Sequence, residues 1–201
     1  TVKDGTTEIM DMALSHVGYA CKKIIIPEGV TKIGEKAVSG NFGLTTVVLP
    51  STLTVIGTNA FGNCSALTDI VIPENVTFIG DMAFNDCSAL TSVVIPDKVT
   101  YIGSGAFKAC SQLKNIVIPA SATEIGDGVF DYCNALTAIY AKGDGKQIER
   151  LKELTGNLTS AVVYAYSKEE PEINEDGSAY VGNYWHFDED GVTPVIWKKQ
   201  Q

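Results

Sequence analysis

The side chains that could carry acid–base or nucleophilic chemistry are few and widely separated in this sequence. The 201-residue chain has two histidines, His16 and His186, one near each end. A catalytic base needs a nucleophile or an orienting partner within hydrogen-bond reach, and neither histidine lies in a motif that supplies one. No glycine-rich phosphate-binding motif follows a strand-like segment. We therefore expect no catalytic residue and no cofactor, and we expect that the chain is not an enzyme.

Two groups of residues resemble metal ligands but lack the spacing of a metal site. Four of the five cysteines recur at one step along the chain, and Cys21 lies outside that step. Zinc sites use closely paired cysteines, whereas this spacing favours a ladder of buried, reduced thiols. The acidic run Asp188–Asp190 lacks the alternating ligands of a calcium loop. We expect no metal, although the sequence leaves open whether this acidic turn binds a cation.

The cysteine spacing belongs to a repeat that governs most of the chain. Prolines, glycines, leucines and phenylalanines keep the same step as the cysteines, and a step in the low twenties is the signature of a solenoid. The recurring residues are Pro27, Pro50, Pro73, Pro96 and Pro119; Gly34, Gly57, Gly80, Gly103 and Gly126; Leu44, Leu67, Leu90, Leu113 and Leu136; Phe61, Phe84, Phe107 and Phe130; and Cys64, Cys87, Cys110 and Cys133, each set with a step of 23 residues.

One repeat divides into three parts. Residues 68–72 alternate apolar and polar side chains and predict a strand that ends at Pro73. Residues 76–80 predict a short extended segment, in which Gly80 has a backbone conformation that a side chain would resist. Residues 81–87 predict a short helical turn, because Ala83, Phe84 and Cys87 have the spacing of one buried helical face. The sequence thus predicts a right-handed α/β solenoid with stacked parallel strands.

The ends of the chain depart from the repeat. Residues 1–23 predict a degenerate first repeat or N-terminal cap, in which Met10 and Asp11 lie one period before Ile33 and Gly34. Residues 24–141 predict the regular array. Residues 142–201 predict an α+β cap, with a helix over 143–156 ending at Gly156, a strand over 161–166, an acidic surface loop over 167–178 and a hairpin with an acidic turn over 184–197. The three parts form one structural domain.

Charge limits the partners. The net charge is −9 and the sequence pI about 4.7, so nucleic acid is disfavoured and no polybasic stretch binds a membrane. No apolar run is long enough to span a bilayer. The sequence begins at Thr1 without a leader, so we expect a processed protein or a fragment, and secretion is not excluded.

The repeat resembles a known family. Leu67, Ile70 and Ile72 match the opening of a leucine-rich repeat, and the Pro, Val-Thr, Ile-Gly, Ala-Phe and Cys positions that follow resemble the BspA-like repeats of bacterial surface proteins. Val38, Asn41 and Val129 depart from that pattern. The resemblance implies a secreted or surface-anchored protein that adheres to host proteins or to other cells.

Three classes of function are compatible with these observations. They are a module that binds a protein of the host matrix or cell surface, or a glycan; a structural spacer within a larger surface protein; and, as the weakest, an enzyme. A binding module predicts an exposed apolar stripe. The strands predicted at residues 68–72 and at the equivalent positions of the other repeats form the main sheet, and alternation along them places one set of residues outward with polar side chains beside it. An exposed aromatic pair, Phe78 and Tyr101, is the second candidate surface. The outward set is Ile25, Val48, Val71, Val94, Val117 and Tyr140, with Asp69 and Asn115 beside it.

Overall fold

The computed structural model describes residues 2–158, 160–169, 183–188 and 193–197. One helix, α1, spans Gly145–Leu154 in these ranges, and the remaining elements are short strands. The strands are β1 (Glu8–Ile9), β2 (Lys23–Ile25), β3 (Lys32–Ile33), β4 (Thr46–Val48), β5 (Val55–Ile56), β6 (Phe78–Ile79), β7 (Ser92–Val94), β8 (Tyr101–Ile102), β9 (Asn115–Ile118), β10 (Glu124–Ile125), β11 (Ala138–Ala141), β12 (Val162–Tyr166), β13 (Tyr184–Phe187) and β14 (Pro194–Ile196).

The repeats stack as coils of a β-solenoid, as the spacing predicts. The second segments of the coils form one sheet, called the second sheet, which has the order β1-β3-β5-β6-β8-β10 and is parallel throughout. Ile33, Ile56, Ile79 and Ile102 lie side by side in its register. The main sheet consists of β2-β4 and of a run β14-β13-β12-β11-β9-β7. Each step of 23 residues therefore advances the chain by one coil.

The core lies between the two sheets and the third segment of each coil. The main-sheet residues that alternate with the predicted outward set are all buried. The phenylalanine ladder stacks along the solenoid, with ring centroids 5.3 Å apart for Phe61–Phe84 and for Phe84–Phe107. Burial of apolar area on this scale is the main source of stability. The inward residues are Ile24, Val47, Ile70, Val93, Ile116 and Ile139.

The third segment is not helical, which corrects the α/β prediction. Met82 and Asp86 adopt left-handed conformations, with φ of 54° and 55°. Alternate amides then point at the next coil: Met82 N–H donates to Ser104 O at 2.9 Å, Phe84 N–H to Ala106 O at 2.8 Å and Asp86 N–H to Lys108 O at 2.8 Å. Overlapping turns bury the same side chains as a helical turn would, so the apolar spacing did not distinguish the two.

Gly80 is required by close packing and not by an unusual φ, which corrects the predicted reason. Its φ is not positive. A Cβ at this position would lie 2.6 Å from Thr58 N and 2.7 Å from Gly57 C in the preceding coil. The backbones of adjacent coils therefore approach more closely here than any side chain allows.

One predicted strand is not formed. Residues 69–72 lie between β4 and β7 but pair with neither, so the main sheet is interrupted at this coil. Ile70 and Ile72 are nevertheless buried, while Val71 is the most exposed valine of the repeats. Burial of the inward side chains, and not a backbone ladder, holds this segment in the stack.

The first coil is present, but its predicted alignment is wrong by one residue. Ile9, and not Met10, pairs with Ile33, and Ile9 is buried while Met10 is exposed. The step between the first two coils is therefore 24 residues. The sequence prediction applied the 23-residue step of the later repeats to this coil. The resulting shift of one residue exchanged the inward and outward side chains of the strand.

The C-terminal elements extend the stack. Asp144 caps α1 by accepting from Lys146 N–H and Gln147 N–H, and the C-cap is Thr155, not Gly156 as predicted. The predicted strand is β12, parallel to β11, and the predicted hairpin pairs β13 with β14. The acidic loop beyond residue 169 and the hairpin turn at 189–192 lie outside the described residues.

Candidate functional site

The outward face of the main sheet carries a stripe of exposed aliphatic side chains. Ile25, Val48, Val71 and Val94 are 49%, 43%, 75% and 45% exposed. They occur once per coil, at the outward position that alternation predicts. We call these four residues the aliphatic stripe. Four aligned apolar side chains on neighbouring coils form a patch, unlike scattered surface residues, and such patches mark interaction surfaces.

Polar residues border the stripe on one side. The residue two positions before each member of the stripe is polar and exposed; these residues are Lys23, Thr46, Asp69 and Ser92. Asn115, which the sequence placed in the same row, is half-buried. Asp69 therefore lies at the edge of the aliphatic stripe, whereas Asn115 does not belong to the exposed polar row beside it.

The stripe is two residues shorter than predicted. Val117 and Tyr140 are 1% and 8% exposed, because they pack in an apolar cluster that includes Trp185 of β13. The Trp185 ring lies 5.2 Å from the Tyr140 ring, and Trp185 Nε1 donates to Ala141 O at 3.3 Å. Val117, Ala138, Tyr140 and Trp185 form a second apolar cluster outside the main core. Val117 and Tyr140 are structural residues of this chain and not part of an open surface.

A groove lies where the main sheet is interrupted. It has a volume of about 280 Å³, and its floor is formed by residues of the unpaired segment and by Val94 and Pro96. Asp69 and Glu74 stand on its rim. The groove is therefore apolar inside and negatively charged at its edge, and it lies at the two most C-terminal residues of the aliphatic stripe.

The predicted aromatic pair lies on the second sheet. The rings of Phe78 and Tyr101 are parallel within 3° and their centroids are 4.7 Å apart. Tyr101 Oη donates to Asp81 Oδ1 at 3.3 Å, and that carboxylate also accepts from Ser104 N–H. Burial, followed by the charge of Asp81, raises the pKa of Tyr101. Phe78 is exposed, as predicted, whereas Tyr101 is half-buried, so the pair is less open to solvent than the sequence predicts.

The cysteine ladder is structural in its geometry. Cys64, Cys87, Cys110 and Cys133 are buried, and each thiol donates to a carbonyl 26 residues earlier, at distances from 3.0 to 3.4 Å. Burial raises the pKa of Cys64 and of Cys133 to about 12. Thiols in this state are poor nucleophiles, because the thiolate is the reactive form.

Asn41 replaces cysteine in the first regular coil. Its Nδ2 donates to Leu14 O at 2.8 Å and to Val38 O at 2.6 Å, and its Oδ1 accepts from Val17 N–H at 2.9 Å. The amide therefore bonds both to its own coil and to the irregular first coil. The Asn41 side-chain amide has the two donors and the acceptor that these three hydrogen bonds need, whereas a thiol has a single donor.

The two histidines are not brought into a catalytic arrangement with other described residues. His16 lies edge-on to Phe42 with ring centroids 6.3 Å apart, and His186 Nδ1 lies 2.7 Å from Phe187 O. Within the described ranges no group of three or more His, Cys, Asp or Glu side chains is close enough to hold a metal ion. No helix among the described residues has the length and apolar character needed to cross a membrane.

The sequence analysis missed a cleft beside α1. Arg150 Nη2 donates to Ile125 O at 3.2 Å and to Asp127 Oδ1 at 2.5 Å, and Gln147 Nε2 donates to Pro119 O at 2.7 Å. Arg150 follows Asp127 by one period of 23 residues. The helix thus occupies the place of a further coil, and this continuation of the period was the available signal.

Comparisons with known proteins agree with this architecture. The model of the BspA type leucine-rich repeat region matches residues 5–149 in six copies. Among solved structures, the leucine-rich repeat protein of T. pallidum is 28% identical, with a TM-score of 0.63 and coverage of 79% of this chain and 78% of that one. A comparison with curated proteins finds no match.

Two further structures are similar over part of their length. A leucine-rich cell surface protein from Faecalibacterium prausnitzii is 30% identical, with a TM-score of 0.56 and coverage of 72% of this chain and 46% of that one. The pneumococcal vaccine antigen PcpA has the same fold at 20% identity, with a TM-score of 0.60 and coverage of 73% and 36%. The repeat period, the stacked coils and the family match over residues 5–149 together identify this chain as a member of the BspA type leucine-rich repeat family.

Proposed function

We propose that this chain is a non-catalytic interaction module of a secreted or cell-surface bacterial protein, and that it mediates adhesion by binding a host matrix or cell-surface protein. The observation that carries the proposal is the aliphatic stripe, four apolar side chains aligned on one rigid face. The cell-surface description of the Faecalibacterium protein supports the proposed location.

The chemistry of the partner follows from the groove at Val71 and Val94. An apolar floor binds aliphatic or aromatic side chains, and the rim carboxylates of Asp69 and Glu74 attract cations. The chain also carries a net charge of −9. The complementary partner is therefore a protein segment in which apolar residues are flanked by Lys or Arg, and its association is accelerated at low salt.

The proposal is tested by a binding panel followed by mapping of the contact. The purified chain is immobilised and exposed to purified extracellular-matrix and host cell-surface proteins at several salt concentrations. We expect saturable binding that weakens as salt screens the rim charges. Hydrogen–deuterium exchange of the complex should then protect residues 46–48, 69–72 and 92–94.

Two outcomes argue against the proposal. Absence of binding to every protein in the panel would favour a structural spacer, in which the solenoid only separates other parts of a larger protein. Saturable binding with protection confined to other residues would retain an interaction function but exclude the aliphatic stripe as its site.

A further inference from the structure

A cleft opens on the side of the molecule that carries the second sheet, between the paired strands β8 and β10 on one side and α1 on the other. Its volume is about 380 Å³, and it is lined by Tyr101, Thr123, Glu124, Ile125, Gly126 and Arg150. A second cavity of about 360 Å³ shares Thr123, Ile125 and Arg150 with it and continues to Asp144 and Lys146 at the start of α1. Both volumes are in the range of small-molecule sites, roughly 300–1,000 Å³.

Tyr101 provides a fixed aromatic wall of the cleft. One face of its ring is covered by Phe78 in the parallel stack at 4.7 Å. On the other side, Glu124 is the neighbour of Tyr101 in the strand register, and both residues line the cleft. The hydroxyl bond to Asp81 fixes the orientation of the ring. The ring therefore has one face covered by Phe78, and its second face is turned toward Glu124 and the cleft.

The polar walls carry both hydrogen-bond acceptors and donors. Arg150 is held in place by Ile125 O, by Asp127 and by Glu153. The Glu124 side chain is exposed and, among the described residues, forms neither an ion pair nor a side-chain hydrogen bond. A carboxylate with free lone pairs thus faces the same space as a preorganised guanidinium.

We propose that this cleft binds a saccharide, with one pyranose ring lying against Tyr101 on the side that Phe78 does not cover. The C–H groups on one side of a pyranose form an apolar surface that fits an aromatic face, and its hydroxyls both donate and accept. Glu124 accepts from one hydroxyl, and Arg150, with Lys146 in the adjoining cavity, donates to others. The ligand carries no net charge, because the cleft presents groups of both signs.

Other ligand classes fit this cleft less well. An anion such as phosphate would be repelled by Glu124 and by the nearby carboxylates of Asp81 and Asp127. A purely apolar ligand would cover Glu124 and Arg150 without replacing their hydrogen bonds to water, which costs free energy. A neutral, hydroxyl-rich ring satisfies the polar walls and the aromatic wall together.

The test uses the purified chain and a panel of neutral methyl glycosides of glucose, galactose, mannose and N-acetylglucosamine, followed by a glycan array. Saturation-transfer NMR should show at least one glycoside binding, at roughly millimolar affinity. The strongest transfer should come from C–H protons on one face of the ring. Amide signals of residues 101 and 123–126 should shift on titration, while those of 46–48 should not.

Matched variants place the ligand. Tyr101→Ala and Glu124→Gln should each weaken binding by about tenfold or more. Tyr101→Phe keeps the ring but loses the hydroxyl bond to Asp81, so it should bind more tightly than Tyr101→Ala and less tightly than the original chain. Tyr19→Ala removes another exposed tyrosine outside the cleft and should have no effect. Circular dichroism of each variant checks that the fold is intact.

Three results would overturn the inference. They are no binding of any saccharide in the panel or on the array, binding that survives both Tyr101→Ala and Glu124→Gln, and amide shifts confined to other regions. Because the aliphatic stripe belongs to the main sheet, protein binding there can fail or succeed independently of this result.

Discussion

Val71 and Val117 occupy the same position in coils two repeats apart, yet Val71 is 75% exposed and Val117 is 1% exposed. Val117 belongs to the second apolar cluster, with Ala138, Tyr140 and Trp185 of β13, whereas Val71 lies outside it. The same sheet face is therefore closed by the chain itself over the last coils and open over the earlier ones. This division defines where a partner can bind.

Trp185 should be the side chain that secures this closure. It is fully buried and contacts Tyr140, Tyr166 and Phe187. Replacement by Ala should lower the free energy of unfolding by about 3–5 kcal/mol, the usual cost of removing a buried large aromatic side chain. Urea unfolding measures this loss. The exposed Tyr132→Ala is the control, and equal stability of the two variants would show that β13 is not tightly packed.

Gly80 should tolerate no side chain. Gly80→Ala places a Cβ within 2.7 Å of backbone atoms of the preceding coil, and backbone cannot move aside as a side chain can. We expect a loss of about 1–3 kcal/mol or more from overpacking. Gly145→Ala is a matched control at the start of α1, where a Cβ meets nothing within 4 Å.

The control should raise stability slightly, since Ala is favoured over Gly in helices by about 1 kcal/mol. Thermal unfolding of both variants measures the change in melting temperature that each substitution causes. If the Gly80→Ala variant melts at the same temperature as the original chain, adjacent coils do not approach as closely as the structure indicates.

The buried thiols should make the fold sensitive to alkaline pH. Cys64 and Cys133 have a pKa of about 12 in the folded chain, against an ordinary value of 9.0. Between pH 9.0 and about 12 the unfolded chain releases these protons while the folded chain keeps them. The free energy of unfolding should therefore fall as pH rises above 9.0, by up to about 1.4 kcal/mol per pH unit for each thiol.

Urea unfolding at pH 7.5, 9.5 and 10.5, values chosen roughly to bracket the thiol titration, measures this slope. Lysines and tyrosines titrate in the same range, so the double variant Cys64→Ala with Cys133→Ala provides the comparison. Its stability should fall less steeply with pH than that of the original chain. Equal slopes would show that these thiols do not resist ionisation in the fold.

Sequence reasoning predicted the repeat, the parallel stacking and the inward residues, because each depends on periodicity alone. It could not identify the third segment, since turns with left-handed residues at Met82 and Asp86 bury the same side chains as a helical turn. The reason for Gly80 was also missed, because a close approach between coils is not encoded in local conformation.

The candidate site was predicted only in part. Ile25, Val48, Val71 and Val94 follow from alternation, whereas Val117 and Tyr140 are buried in a cluster that includes Trp185, about 45–70 positions later in the chain. The change from aliphatic side chains to Tyr140 was the available signal. The interruption at residues 69–72 had none, since that segment is as rich in β-branched residues as its neighbours.

The most direct test of the proposed function is partner affinity after two charges are placed in the aliphatic stripe. Val71→Asp with Val94→Lys should change stability by only about 0.5 kcal/mol per site, because both side chains are exposed. Val17→Asp with Met82→Lys makes the same charge changes at exposed apolar residues outside the stripe. Calorimetric titration with the partner from the binding panel should show binding abolished in the first variant and retained in the second. Full affinity in a folded Val71→Asp, Val94→Lys variant would contradict the account.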